Sequence, residues 1–391
     1  MKPTRINRRR LIGAACWCGV APCLSLAQDS VRLQDRWMVT QRFRLRVVVV
    51  AHGLVFPWAM ACLPDGRLLV TERAGRMRIV EPGGRVQESL AGLPDMVVDD
   101  QAGLLDVCLD REFADNRRLF FCFAQAAGAG SDLLQLVVAS ARLGSGRLEQ
   151  VRILHRAAPP LPVGQHLGSR IAQDAQGRIF ICLGERMHST FAQRLDAGIG
   201  KILRLEADGS IPADNPYQDA RGAPTAVWSL GHRNPQGLAF DPVGGALWST
   251  EHGPRGGDEL NLVTRGGNYG WPLVSSGTRD EDGSAFKAPD AGQKFMEPVR
   301  SWTPAVAPSG MVFCNQKSAP AWRGNLLIAC LRAQRLLRLE IGPDGCGVLA
   351  EETMDLGHVE RYRDVRQDAA GNIYVCTDNR DGLILRLEPQ L

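Results

Sequence analysis

Short apolar runs alternate with polar turns along this chain, and one phrase of that alternation recurs six times. An apolar strand leads into a turn holding Asp with Gly or Asn, and a second apolar strand follows. The phrase reads ACLPDGRLLVTER at 61–73, VCLDREFADNRRLFFCFA at 107–124 and IAQDAQGRIFICLGE at 171–185. It returns as LAFDPVGGALWSTEH at 238–252, in stretched form as MVFCNQKSAPAWRGNLLIACL at 311–331, and as VRQDAAGNIYVCTD at 365–378. Asp, Asn and Gly supply the turn conformations that hairpins need. A further strand, such as RMRIVEP, KILRLEA, LLRLEI or LILRLEP, often follows. Four strands per copy, six copies and no long helical period predict an all-β fold, a six-bladed β-propeller with four-stranded antiparallel blades. A pair of β-sandwiches fits six similar copies poorly. The N-terminal RFRLRVVVVAHGL has no hairpin partner, and it is expected to join the last blade beside LILRLEP and close the ring. Segments 93–103, 155–170, 185–200, 251–272 and 276–305 then become loops, where binding and catalytic groups gather.

Composition adds an export signal and removes two classes of partner. The 391 residues carry a net charge of +4. Residues 1–27 hold Lys2, Arg5, Arg8, Arg9 and Arg10 and no acid, so the remainder has 41 basic against 42 acidic residues. That balance gives no electrostatic footprint for nucleic acid or an anionic membrane. A basic start, a small apolar stretch and Ser25-Leu26-Ala27 read as an export signal peptide over 1–27, cleaved before Gln28. Arg8-Arg9-Arg10-Leu11-Ile12 resembles a twin-arginine signal. The domain proper is then 28–391, a periplasmic chain with no stable membrane insertion. Eight of the 11 cysteines lie beyond the signal, without a CxxC, and seven of them sit in apolar runs. They read as buried strand residues, with disulfides permitted by export.

Four loop motifs carry candidate chemistry. In GQHLGSR, His166 on a Gly-flanked loop has the pKa range of a general base, or is a loop histidine bonded to a neighbour. In LGHRNPQG, Arg233 and Asn234 suit an anion or oxyanion, or lie on the surface. In EHGPRGGDELNLVTRGGNYGWP, a loop rich in glycines and acids offers oxygen ligands for a hard cation, or is an acidic turn. In RYRDV, Arg361 and Arg363 share a strand face, and two adjacent guanidiniums suit a polycarboxylate or phosphate. Around one axis the four loops supply a base, an anion clamp and a cation site.

These residues make the chain resemble the soluble quinoprotein glucose dehydrogenases, most closely the periplasmic aldose sugar dehydrogenases that use pyrroloquinoline quinone (PQQ). The likeness runs through QAGLLDVCLDREF, GQHLGSRI, GKILRLEADGSIPADNPY, LGHRNPQGLAF, ALWSTEHGPRGGDELNLVTRGGNYGWP and RYRDVRQDAAGNIYVCTD. The resemblance implies oxidation of an aldose at its anomeric C1 hydroxyl to an aldonolactone, with hydride passing to PQQ beside Ca2+. By the same resemblance, His166 is the catalytic base. Gln101, Arg233, Asn234, Arg361 and Arg363 contact the cofactor, and Arg233 lies at the quinone oxygens. The carbonyl oxygens of Gly253 and Pro254 hold the cofactor Ca2+. Glu259 and Tyr269 belong to a second, structural Ca2+ site.

Some positions depart from the family pattern. Arg332 stands where a cofactor-binding Lys is usual. Ser169 replaces a Gly, which is expected to add a side chain close to the cofactor face. Gln165 and Glu185 stand where the sugar pocket is shaped. The implied partners are an aldose and an external electron acceptor, since no CxxCH haem motif is present. A non-redox propeller that keeps Ca2+ but has lost the cofactor would show a degenerate base or clamp, and both are present. A Ca2+-dependent lactonase would need an axial acid and Asn ligand set, which these motifs do not supply.

Overall fold

Each of the six repeated phrases folds as an antiparallel hairpin in the computed structural model of the chain, which describes residues 33–315, 317 and 319–390. Residues 1–27, expected to be an export signal, lie outside the described residues. The turn acids explain the recurrence. Asp174 accepts the backbone N–H groups of Gln176 and Arg178, both at 2.9 Å. Asp368 does the same for Ala370 at 2.9 Å and Asn372 at 2.8 Å. Such Asx turns close the hairpin with the side chain.

The first strands of the hairpins are Pro57–Cys62, Leu104–Leu109, Gly168–Gln173, Pro235–Phe240, Pro308–Phe313 and Tyr362–Gln367. Each packs against the corresponding strand of the next blade, and the sixth packs against the first. The sheets therefore form a ring, a six-bladed propeller with these strands innermost. Four blades have four strands. Blade 1 has three, because the chain turns through Pro82, Gly83 and Gly84 and then follows the third strand only by the Val80–Val86 bridge and the bonds of Gln87 and Leu90. Blade 6 has five strands, because the N-terminal strand Arg44–Leu54 pairs with Gly382–Gln390, as its missing hairpin partner implied, and Arg36–Val39 adds beside it.

Apolar residues pack between blades. Leu69, Phe121 and Ile181 belong to one buried cluster across blades 1 to 3, and Trp248, Met311 and Ile328 join blades 4 and 5. All eight cysteines among the described residues are unpaired. Cys122, Cys182, Cys314, Cys330 and Cys376 are buried, behaving as small hydrophobes.

All six inner strands break register near their second or third residue. A bulge bends the strand and re-aims its side chains. Here it turns Trp58, Leu105, Gln236 and Arg363 into one cavity. Just past the bulges, equivalent positions in the repeat carry Ala59, Asp106, Arg170, Gly237, Gly310 and Asp364. A Cβ at Gly310 would collide with the Asp364 carboxylate, so the small residues at this level of the axis make room for the charged ones. Arg170 reaches Asp106 at 2.9 Å and Asp364 at 3.2 Å, while Arg366 reaches Asp106 at 3.2 Å and Asp364 at 3.0 Å. Two carboxylates and two guanidiniums thus plug the axis with charges that cancel. The Arg170 guanidinium lies 4.3 Å from the centre of the Trp58 ring.

Candidate active site

A cavity of about 320 Å³ contains Gln101, His166, Asn234, Arg361 and Arg363 from four of the loops and strands singled out in the sequence. His166 has φ +47°, which holds it in a left-handed bend. Gly184 makes room for that bend, since a Cβ there would collide with the His166 carbonyl. The His166 backbone N–H donates to Gln101 Oε1 at 3.2 Å. Its ring Nδ1 lies 2.6 Å from Glu185 Oε1. With a carboxylate on Nδ1, the proton sits there and Nε2 keeps its lone pair. Glu185 was read from the sequence only as a shaper of the sugar pocket. It is 2% exposed and also orients the imidazole.

The residues expected to clamp an anion form a connected set. Arg363 donates to Asp378 Oδ2 at 2.6 Å and to Gln236 Oε1 at 3.0 Å. Gln236 donates to Asn234 Oδ1 at 3.0 Å, and Asn234 Oδ1 also accepts from the Gly168 N–H at 3.3 Å. Arg363 Nε is buried without a partner. Arg361 is half exposed, 3.7 Å from Asp378. Arg73, which the sequence reading passed over, lines the same cavity, and burial pushes its pKa down. Burial pushes Asp378 up, but Arg363, Arg73 and Arg361 override it and hold the carboxyl below the ordinary range. Three guanidiniums thus face Asp378 and the exposed Asp100, an excess of cation with an unused buried N–H. That donor set fits a polycarboxylate.

His252, also unassigned from the sequence, lines the cavity and donates from Nε2 to the Pro308 carbonyl at 2.9 Å. Burial, with Arg363 beside it, pushes its pKa down to about 3, so it stays neutral.

Two predicted positions lie elsewhere than expected. Arg332 is solvent-exposed, one residue past Leu331, which does line the cavity. Ser169 is not among the residues that line this cavity. It is fully buried at φ +89°, and its hydroxyl turns back to the Leu167 carbonyl at 3.3 Å. Its side chain is thus packed in the interior and does not line the cavity that its neighbours Leu167 and Gly168 line.

The cation positions sit on the next loop. Arg233 stacks over Trp271 at 5.2 Å, donates to the Gly253 carbonyl at 2.7 Å and pairs with Asp280 at 3.2 Å. The Gly253 carbonyl therefore already attracts a cation, while its N–H donates to Asp258 at 2.9 Å. Pro254 adjoins it, against Gly277. Beneath them, Glu251 and Glu259 face each other in register across two strands. Burial, then Glu251, pushes the Glu259 carboxyl up to about 8. Asn261 donates to both acids, at 3.1 and 3.2 Å, and its own Oδ1 is buried without a partner. A void of about 10 Å³ lies against Glu251, Glu259 and Tyr269, room for one small ion or water. Two repelling acids against such a void, bridged by an Asn261 side chain whose own oxygen is unpartnered, fit a hard cation. The Tyr269 hydroxyl is committed to the Leu262 carbonyl and the Thr264 N–H, so a metal contact from this residue would come from its backbone.

Residues 54–386 match the family profile described as glucose/sorbosone dehydrogenase. The aldose sugar dehydrogenase YliI of Escherichia coli is 37% identical over 358 residues, covering 88% of this chain and 93% of that protein. The apo-form crystal structure of the soluble aldose sugar dehydrogenase from Escherichia coli superposes with a TM-score of 0.82 at 37% identity, covering 88% of this chain and all of that one. The PQQ-bound aldose sugar dehydrogenase from Streptomyces coelicolor gives a TM-score of 0.72 at 28% identity, covering 92% and 99%.

Proposed function

The chain belongs to the glucose/sorbosone dehydrogenase family, and from that premise we propose that it oxidises the anomeric C1 hydroxyl of aldoses to aldonolactones with PQQ and Ca2+. The observation that carries this reading is His166, fixed by Glu185 at the edge of a cation-rich cavity. A solved relative in PQQ-bound form supports the choice of anion.

When bound, PQQ would supply the hydride acceptor and Ca2+ a Lewis acid beside it. Arg361, Arg363 and Arg73 would hold the carboxylates. Gln101, Asn234 and Arg233 would contact the rest of the cofactor, and exposed Arg332 would reach it only from the solvent side. The carbonyls of Gly253 and Pro254 would hold the cofactor Ca2+, with the Arg233 guanidinium shifting from Gly253 towards the cofactor oxygens. Glu259 and Tyr269 would hold the structural ion. At the sugar, His166 Nε2 would take the C1 hydroxyl proton, and with PQQ supplying the hydride acceptor the product would be the lactone. Glu185 keeps Nδ1 protonated and stabilises the imidazolium formed. Electrons would leave to an external acceptor, and the basic, apolar N-terminal segment supports a periplasmic location. Among the described residues, no helix is long and apolar enough to cross a membrane.

Purified apoprotein given PQQ, Ca2+ and an aldose panel should reduce an artificial dye, and a chelator should abolish the activity. Sugar-independent or cofactor-independent reduction would overturn the reading. Within that assay, Arg361→Ala should weaken PQQ binding by roughly ten- to a hundredfold, as loss of a charged hydrogen bond does. Because Arg361 is half exposed, the unfolding midpoint should barely move. A quinone absorbance titration equal to the parent's would remove Arg361 from the clamp.

A further inference from the structure

His166 lines a second cavity besides the cation-rich one. It is small, about 140 Å³, and its other walls include Glu185, Trp271, Asp280, Glu281 and Phe286. That volume falls below the roughly 300 Å³ of pockets for drug-sized ligands, so the ligand it admits is about one ring. The Trp271 and Phe286 rings lie 5.7 Å apart, inclined at 51°. They present an apolar wall of the kind that takes the C–H face of a pyranose.

The polar wall consists of acceptors. Glu185 gives one oxygen to His166, and its Oε2 is buried without a partner at the cavity. Asp280 and Glu281 are exposed carboxylates. The two guanidiniums at the cavity are engaged: Arg279 lies over Phe286 at 4.5 Å, and Arg233 is held by Gly253 and Asp280. Three acids against two engaged cations leave the cavity favouring hydroxyl donors and disfavouring anions.

One short strap supplies most of this wall. Thr278 exchanges two backbone bonds with Arg255, each 3.3 Å, which ties the strap to the turn that carries Gly253. A tight turn follows, with Arg279 N–H to the Ser284 carbonyl at 2.8 Å and Gly283 N–H to the Arg279 carbonyl at 2.9 Å. This turn sets Asp280, Glu281 and Phe286 against the base.

We propose that the strap 278–286, together with Trp271, forms the sugar-contacting wall of the site, and that its acids select neutral aldopyranoses over uronates. The proposal rests on the dehydrogenase reading for its substrate class. Phe286→Ala should raise KM for an aldose about tenfold, with kcat within about twofold and PQQ affinity unchanged, and Phe286→Tyr should restore KM. Glu281→Gln should raise the kcat/KM ratio of glucuronate to glucose about fivefold, a change that a purely structural strap would not produce. An unchanged KM in Phe286→Ala, or an unchanged ratio in Glu281→Gln, overturns the wall and leaves the dehydrogenase reading standing. Should the parent oxidise no aldose, the dehydrogenase reading fails separately. Saturation-transfer NMR of methyl α-glucopyranoside with the full chain then decides: transfer in the parent that is lost in Phe286→Ala supports the wall, and equal transfer in Phe286→Ala, or none in the parent, overturns it.

Discussion

Replacing His166 by Ala should cut turnover at least about 10²-fold while PQQ binding persists, as removal of a general base does. The size follows from how the ring is held. Glu185 fixes Nδ1 at 2.6 Å and the backbone is pinned through Gln101, so Nε2 is delivered in one tautomer and one direction. The other histidine of the cavity cannot take over. His252 lines the same cavity, but its Nε2–H is spent on the Pro308 carbonyl and its pKa is pushed down to about 3. A base that weak holds a proton poorly near neutrality. The substitution also leaves the buried Glu185 carboxylate without its partner, at a cost of about 1–3 kcal/mol. The double variant His166→Ala, Glu185→Gln removes that cost and should be equally inactive. Dye-linked kinetics at saturating PQQ and Ca2+ read the result, and turnover near the parent's would end the assigned role.

Arg170→Met should be the most destabilising single change in the axis, by about 3–5 kcal/mol. Its guanidinium is fully buried, serves both Asp106 and Asp364, and also donates to the Gln236 carbonyl at 3.1 Å. Met fills similar space but leaves two buried carboxylates sharing Arg366 alone. Trp58 loses the cation over its ring, so the floor of the cavity loosens as well. The denaturant midpoint measures the loss, and a shift equivalent to less than about 1 kcal/mol would show that the axial charges are not coupled in this way.

The ring and its closure were legible because each repeat carries its own turn chemistry. The Asp of AQDAQG and of RQDAAG makes the same Asx turn in two blades, and that local bond is visible as spelling. The residues proposed as base and clamp stood out in the sequence, except Arg73, because loops concentrate unusual residues. What escaped was set by the bulges. Period-two alternation says which face a strand residue takes, and one extra residue inverts it. Trp58 and Gln236, given no role from the sequence, line the cavity at these bulges, whereas Ser169, expected near the cofactor, is buried off it. Arg73 and Asp378 escaped for a related reason. They close the phrases VTER and VCTD, where the second strand ends, and only the ring brings blades 1 and 6 side by side. The acids ending these phrases form a pattern in retrospect: Glu185 holds His166, Glu251 holds the His232 ring and the Arg233 N–H, and Asp378 holds Arg363.

Pairing of Arg44–Leu54 with Gly382–Gln390 also fixes an order of events. Nearly the whole chain separates these two strands, so their contact is the most non-local in the fold, and such contacts form slowly. A chain emerging from the ribosome can build its early hairpins at once, yet the strand near its start waits unpaired until the final residues are free. Blades 1 and 6 therefore meet last, and with them Arg73, Arg361 and Arg363. The binding cavity exists only after synthesis is complete, so the cofactor cannot serve as a template for the folding of the early blades. A chain halted before residue 382 would lose the seal of the ring, with two open sheet edges in its place.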